Sequence, residues 1–268
     1  TPEDLIEKVL EPYADSYLIA KSQQYVSTKN AEDVNRLLKW LNRIDNSDWL
    51  PPAILFLSQK KDHPEYVLWF FTKLERLAAY LHICAKNVNQ RIERYAEVIA
   101  SLQAPHSKDA PAVSVELTKA EIDEMKEALD GKIYELTARR RNYLILRLDS
   151  FLSDGAATYD PTLLTIEHVL PQTVSDGSEW ERLWPDPDGR KSWVHRIANL
   201  VPLTQKRNSK AQNFDFHTNT TAHFGGKRGV SSYVLTTQVL KTAEWTPSVV
   251  DQRQKDLLEV LIDRWELA

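Results

Sequence analysis

The stretch TIEHVLP, residues 165–171, places a glutamate and a histidine side by side in an apolar segment. Neighbouring residues of a β-strand point to opposite faces, so Glu167 and His168 cannot both face the same core. A bulge or a strand end resolves this conflict, because there the carboxylate can hold a divalent cation while the imidazole faces an attacking water molecule. A Glu-His pair alone is more often a surface or capping pair, so the interpretation depends on the residues that follow.

Two downstream segments carry polar residues that could complete such a site. ANLVPLT (198–204) is predicted to be a second strand, and QKRNSKAQNF (205–214) leads into a short helix, which together with the first strand makes a small ββα unit. Asn199 could fix the tautomer of His168 through its side-chain or backbone oxygen. Asn208 could supply an oxygen ligand to a metal. Alternatively, Asn199 turns or caps the chain, and Asn208 is the N-cap of its helix.

The available donor atoms favour a magnesium-like ion. Cys84 is the only cysteine, which excludes an intramolecular disulfide and any zinc site built on cysteine pairs, and fits a reducing cytosol. One carboxylate and one amide oxygen form a sparse ligand set, which suits Mg²⁺ because this ion keeps several waters and accepts phosphate oxygens as ligands. A cation at this position would stabilise the leaving 3′ oxygen of a phosphodiester.

Three motifs in this region, IEHVLPQ (166–172), IANLVPLT (197–204) and KRNSK (206–210), carry a family resemblance. Together they resemble the HNH nuclease domain of GmrSD-type restriction endonucleases and of the related SspE-like phage-defence nucleases. The resemblance extends through Trp245 and Arg253, and it covers roughly residues 160–268.

The resemblance implies a role for each residue of the site. His168 would be the general base and Asn199 the residue that orients it, while Glu167 and Asn208 would be the metal ligands. One Mg²⁺ or Mn²⁺ ion is expected, and no organic cofactor. Ala198 departs from the glycine that is more common in the family before the asparagine, which affects only the local turn.

The charge of the chain is unevenly distributed. Residues 190–243 contain nine basic residues and one acid, a net charge of +8, which leaves −12 for the rest of a chain whose net charge is −4. Such asymmetry indicates a polyanion-binding face on an acidic body. The candidates for contacts with DNA phosphates are Lys206, Arg207, Lys210, Lys227 and Arg228. The cluster at residues 139–141 could also face DNA, but a solvated helix face is the favoured interpretation.

The composition predicts a mainly α-helical protein. A helical lobe and linker are expected over residues 1–114, and an HNH nuclease domain over residues 115–268, with its ββα-metal core at about residues 163–216 embedded among helices. The pattern Thr118-Lys119-Ala120-Glu121 is a capping box that predicts the start of a long helix towards Leu152. A final amphipathic helix is predicted from Pro247 to Trp265.

The loop between the two predicted strands contains Trp180, Trp184 and Trp193. These tryptophans could stack on bases, but we expect them to anchor the loop to the domain. His195 precedes Asn199 by four residues. We expect it to pack or bond within this loop rather than to take part in chemistry.

The function predicted from these residues is metal-dependent nicking or cleavage of foreign double-stranded DNA in bacterial restriction. The alternative is a catalytically silent module that binds DNA or senses its modification within a larger nucleotide-hydrolysing restriction protein. The resemblance implies an N-terminal nucleotide-hydrolysing domain as a partner in the same protein, and this chain is expected to be a C-terminal fragment. No apolar run approaches the roughly 18–20 residues of a membrane span, so a cytoplasmic location without membrane contact is expected.

Overall fold

The computed structural model describes residues 1–104, 113–154, 164–204, 215–218, 224 and 231–268. The chain forms two compact units, Thr1–Met125 and Lys126–Ala268. Residues 115–125, which the sequence assigned to the nuclease domain, lie in the first unit; the predicted boundary at residue 114 stays a prediction. None of the helices in the described ranges is long and apolar enough to cross a membrane.

Helices are the only regular secondary structure among the described residues of the first unit. Its elements, including the helix that crosses into the second unit, are Pro2–Leu5, a π-helical turn Ile6–Leu10, Glu11–Ser22, Ala31–Leu41, Leu50–Lys60, Pro64–Ile83, Val88–Gln103, a 3₁₀ turn Val113–Val115 and Lys119–Leu129. The core is built around Pro64–Ile83, which is buried nearly all round and contacts Ala31–Leu41 and Leu50–Lys60.

Ion pairs and hydrogen bonds hold the last helix of this unit. Lys86 Nζ lies 2.6 Å from Glu124 Oε1, and Arg94 Nε donates to Glu121 Oε1 at 2.8 Å. The predicted capping box is confirmed, because the Thr118 backbone N–H donates to Glu121 Oε2 at 2.7 Å and the Glu121 N–H donates to Thr118 Oγ1 at 3.3 Å.

The second unit contains short helices around one two-stranded sheet. Its described elements after Lys119–Leu129 are a 3₁₀ turn Ile133–Glu135, Ala138–Leu152, β1 (Leu164–His168), Glu179–Leu183, Pro187–Trp193, a 3₁₀ turn Ile197–Asn199, β2 (Leu200–Thr204), Phe216–Thr218, Val234–Leu240 and Pro247–Arg264. The structure is therefore mainly helical, as predicted.

The prediction of one long helix from the capping box to Leu152 is wrong. The first helix ends at Leu129, and Gly131 N–H closes it by donating to Ala128 O at 3.2 Å. An Asp-Gly pair favours this break because glycine costs helix stability. The next long helix starts only at Ala138.

The two strands pair in antiparallel register, with Glu167 opposite Val201 and His168 opposite Leu200. The helix Ala138–Leu152 packs against both strands. The helix predicted to complete the ββα unit falls on residues 205–214, which lie outside the described residues, so the HNH architecture stays a prediction.

Buried aromatic residues fix the loop between the strands. Trp180 and Trp184 belong to the core cluster that also contains Val169, Leu170 and Trp245. Trp184 Nε1 donates to Trp245 O at 2.7 Å. The prediction that these two tryptophans anchor the loop is confirmed.

The final helix, Pro247–Arg264, holds the turn at the start of β2. Its half-buried Arg253 donates from Nε to Ala198 O at 3.1 Å, from Nη1 to Gln238 Oε1 at 2.8 Å and from Nη2 to Leu235 O at 3.1 Å. Gln254 Oε1 accepts from Ala198 N–H at 3.0 Å. This helix therefore determines where the turn Ile197–Asn199 lies.

Candidate active site

The candidate site lies at the end of β1. Glu167 and His168 are the last two residues of this strand, and both side chains are half-buried. Because adjacent strand residues alternate between faces, the carboxylate and the imidazole are presented in different directions. Both are nevertheless close enough to Arg141 for its charge to lower their pKa values.

The His168 ring is held by three neighbours. Its Nε2 lies 3.2 Å from Nδ1 of His195, and its Nδ1 lies 3.4 Å from Nε2 of the exposed Gln172. The ring of Tyr134 lies against it, with ring centroids 4.1 Å apart. The imidazole is thus fixed on one side by a second histidine and faces an exposed side chain on the other.

Tyr134 also holds His195. Its backbone N–H donates to His195 O at 3.0 Å, and the two rings stack with centroids 5.6 Å apart and planes 13° from parallel. Arg141 in turn holds Tyr134, since its Nη1 donates to Tyr134 O at 2.7 Å and its guanidinium carbon lies 4.2 Å from the tyrosine ring centroid.

The environment keeps the His168 imidazole neutral. Burial lowers its pKa to about 4, and the proximity of His195 and the positive charge of Arg141 act in the same direction. At neutral pH the ring therefore has a free lone pair on one nitrogen and can accept a proton.

Burial acts on Glu167 in the opposite sense. It raises the pKa of this carboxyl to about 7, although the charge of Arg141 partly offsets the effect. Within the described residues, the side-chain carboxylate of Glu167 has no hydrogen-bond or ion-pair partner. A half-buried carboxylate without a partner is costly, and a divalent cation would relieve that cost. The hard oxygen donors at this position therefore fit Mg²⁺ or Mn²⁺.

The described part of the chain contributes only a fraction of a ligand set. No group of three or more His, Cys, Asp or Glu side chains that could hold a metal occurs among the described residues. The second predicted ligand, Asn208, lies outside them. The predicted phosphate contacts, Lys206, Arg207, Lys210, Lys227 and Arg228, also lie outside them. These roles stay predictions.

Asn199 is placed differently from the prediction. It is fully buried, and its Nδ2 donates to Leu170 O at 3.0 Å and to Val194 O at 2.9 Å. Its Oδ1 accepts from Leu170 N–H at 2.7 Å and from Trp245 Nε1–H at 3.1 Å. Its backbone oxygen accepts from Val169 N–H at 2.9 Å.

These bonds change the role expected for Asn199. Among the described contacts, neither oxygen of Asn199 bonds to the His168 ring, so Asn199 does not orient the ring by a direct hydrogen bond. Its amide instead joins the chain just after His168, at Leu170, to the chain just before His195, at Val194. Both side-chain atoms are fully used by buried groups, so the residue acts on His168 through the backbone.

Three residues of the site were not identified from the sequence: Tyr134, Arg141 and His195. His195 was expected to pack or bond within the tryptophan-rich loop, whereas its Nδ1 lies 3.2 Å from Nε2 of His168. Its position four residues before Asn199 was the only available signal. Arg141 belongs to a basic cluster for which a solvated face was favoured, and Tyr134 had no signal.

The chain was compared with known proteins. The family model described as GmrSD restriction endonucleases, C-terminal domain, matches residues 119–260. Comparison with curated proteins and with solved structures found no match. The match covers β1, β2 and every residue of the site.

Proposed function

The chain belongs to the family of the C-terminal domain of GmrSD restriction endonucleases, and we propose that it is a metal-dependent DNA endonuclease of the HNH type. The observation that carries this proposal is the pair at the end of β1: a neutral imidazole beside a half-buried carboxylate without a partner in the described residues. A neutral imidazole can serve as a general base, and such a carboxylate suits a hard cation.

The proposed reaction is hydrolysis of a phosphodiester. His168 accepts a proton from a water molecule at Nδ1, the nitrogen that faces the exposed Gln172. The water oxygen forms a bond to phosphorus as the bond between phosphorus and the 3′ oxygen breaks, and the leaving oxygen takes a proton from solvent. The negative phosphate near the ring raises its affinity for the proton, which offsets the effect of burial.

Glu167 and Asn208 would hold one Mg²⁺ or Mn²⁺ ion. When bound, this ion would stabilise the charge that develops on the phosphoryl group and on the leaving oxygen. The bound cation would also favour the ionised form of the Glu167 carboxyl, whose pKa burial raises.

The substrate we propose is double-stranded DNA of foreign origin. The basic residues Lys206, Arg207, Lys210, Lys227 and Arg228 would neutralise its phosphates and give affinity without sequence preference. We also propose that the domain works with a nucleotide-hydrolysing domain of the same protein, as the family resemblance implies.

A plasmid-nicking assay tests the proposed activity. The chain should convert supercoiled DNA to nicked or linear forms with Mg²⁺ or Mn²⁺, and EDTA should abolish this. His168→Ala should lose about 10²–10⁴-fold in rate, the usual contribution of a general base. His63→Ala, at an exposed histidine of the other unit, is the matched control. If the parent chain binds DNA but cuts neither modified nor unmodified plasmid, the chain is instead a silent DNA-binding or modification-sensing module.

A further inference from the structure

Two histidines that are 27 residues apart in sequence lie within hydrogen-bond distance at the candidate site. The distance of 3.2 Å between His168 Nε2 and His195 Nδ1 requires that one nitrogen carries the hydrogen and the other accepts it. The identity of the donor determines which nitrogen of His168 is free for chemistry.

The second contact of His168 indicates the direction of this bond. Gln172 Nε2 is an amide nitrogen with hydrogens, so it can only donate to His168 Nδ1, at 3.4 Å. A neutral imidazole that accepts at Nδ1 carries its hydrogen at Nε2. The Nε2–H of His168 must then donate to His195 Nδ1, which makes His195 the acceptor.

We propose that His195 is a positioning residue that holds His168 with its hydrogen on Nε2 and its lone pair on Nδ1. This inference deepens the proposed nuclease function and rests on it. The lone pair then faces the exposed side of the site, where Gln172 gives way to water and substrate. The bond from Nε2–H to His195 thus fixes both the tautomer and the orientation of the His168 ring.

The surroundings of His195 suit this role. The Tyr134 backbone N–H fixes the His195 carbonyl, and the stacked Tyr134 ring fixes the plane of the imidazole. Asn199 holds the preceding carbonyl, that of Val194. The acceptor nitrogen is thus fixed from three directions, which limits the entropy lost when the hydrogen bond forms.

Two substitutions of His195 distinguish the effect of its hydrogen-bond acceptor from the effect of its side-chain volume. His195→Asn keeps an acceptor, because the Asn side-chain oxygen lies close to the position of the histidine Nδ1. His195→Leu keeps a comparable volume but has no acceptor. The circular dichroism spectrum and the thermal midpoint of each variant show whether it folds, and His63→Leu, at an exposed histidine of the first unit, is the control.

The first readout is nuclear magnetic resonance of the full chain labelled with ¹⁵N-histidine, in EDTA. The parent should show a slowly exchanging hydrogen on His168 Nε2, His195→Asn should retain it, and His195→Leu should lose it. An equal signal in all three proteins, or a hydrogen on Nδ1 in the parent, would overturn the inference.

The second readout is steady-state plasmid cleavage over a range of DNA concentrations. His195→Leu should lower kcat roughly tenfold to hundredfold, a part of the about 10²–10⁴-fold that a general base contributes, and KM for DNA should stay unchanged. His195→Asn should recover most of that loss. Equal kcat in the three proteins would refute the role in catalysis. If the parent does not cut, the proposed function fails, whereas the resonance experiment still decides which nitrogen of His168 carries the hydrogen.

Discussion

Replacing Asn199 by alanine should destabilise the second unit, and not only slow a reaction. Its side chain bonds to four buried groups, namely the Leu170 N–H and carbonyl, the Val194 carbonyl and the Trp245 indole N–H. A buried polar group left without its partner costs about 1–3 kcal/mol. Water entering the vacated space would satisfy some of these groups, so we expect a loss of about 4 kcal/mol, close to the lower end of the about 5–15 kcal/mol that stabilises a typical domain.

Hydrogen exchange measured by mass spectrometry gives the local effect, which is needed because the chain has two units. Peptides covering residues 164–204 and 234–264 should exchange about a thousandfold faster in Asn199→Ala, the factor that corresponds to about 4 kcal/mol. Peptides covering residues 31–83 should keep their rates. Asn89→Ala, at an exposed asparagine of the helix Val88–Gln103, is the matched control and should change stability by no more than about 0.5 kcal/mol.

The opposite result would refute this reasoning. If Asn199→Ala exchanged at rates close to the parent's in both sets of peptides and yet lost DNA cleavage, its four buried bonds would contribute little to stability. Asn199 would then act directly on the reaction, as the family resemblance implies, and the structural role assigned here would be wrong.

Three further predictions concern other residues. Burial raises the pKa of the Cys84 thiol to about 12. Iodoacetamide at about pH 8 should therefore alkylate this thiol about a thousandfold more slowly than an ordinary thiol, as measured by mass spectrometry. Equal rates of alkylation would contradict this. Burial alone would raise the pKa of Glu121, but hydrogen bonds from Arg94 and Thr118 outweigh it and leave the pKa below its ordinary value. The contribution of Glu121 to stability is therefore present above its unfolded pKa and lost as the pH falls through its folded pKa. Glu121→Gln should lower the thermal midpoint at neutral pH, and the midpoint of this variant should decline less steeply in acid than that of the parent. Parallel curves of thermal midpoint against pH would contradict this. Arg253→Met should destabilise the second unit by about 3 kcal/mol in urea unfolding, because three buried or half-buried acceptors lose their donor; a loss below about 0.5 kcal/mol would show that its bonds contribute little.

The elements predicted correctly are those that local sequence determines. The capping box at Thr118 and Glu121 needs only residues three apart, and the helix from Pro247 needs only its own apolar spacing. The pairing of β1 with β2 follows from two apolar segments of equal length. The helix break at Gly131 was missed because the helical periodicity resumes beyond it.

The part of the site that the sequence did not predict depends on tertiary packing. The proximity of His195 to His168 depends on the path of the connecting loop, which is fixed by the burial of Trp180 and Trp184. The position of Tyr134 depends on the 3₁₀ turn Ile133–Glu135, which follows the end of the helix at Leu129. Such contacts have no periodicity, so no spacing in the sequence predicts them.

Asn199 explains how the two histidines come to lie together. Its amide joins Leu170, two residues after His168, to Val194, the residue before His195, and thereby fixes both segments to the start of β2. Substitution of Asn199 and substitution of His195 should both slow cleavage, but for different physical reasons. Loss of Asn199 should lower stability and activity together, because buried groups lose their partners. Loss of the acceptor at His195 should lower activity while the unit stays folded, because that bond lies at the half-buried edge of the site. The geometry of the site thus depends on a buried residue that holds the backbone, and its chemistry on a histidine that holds the ring.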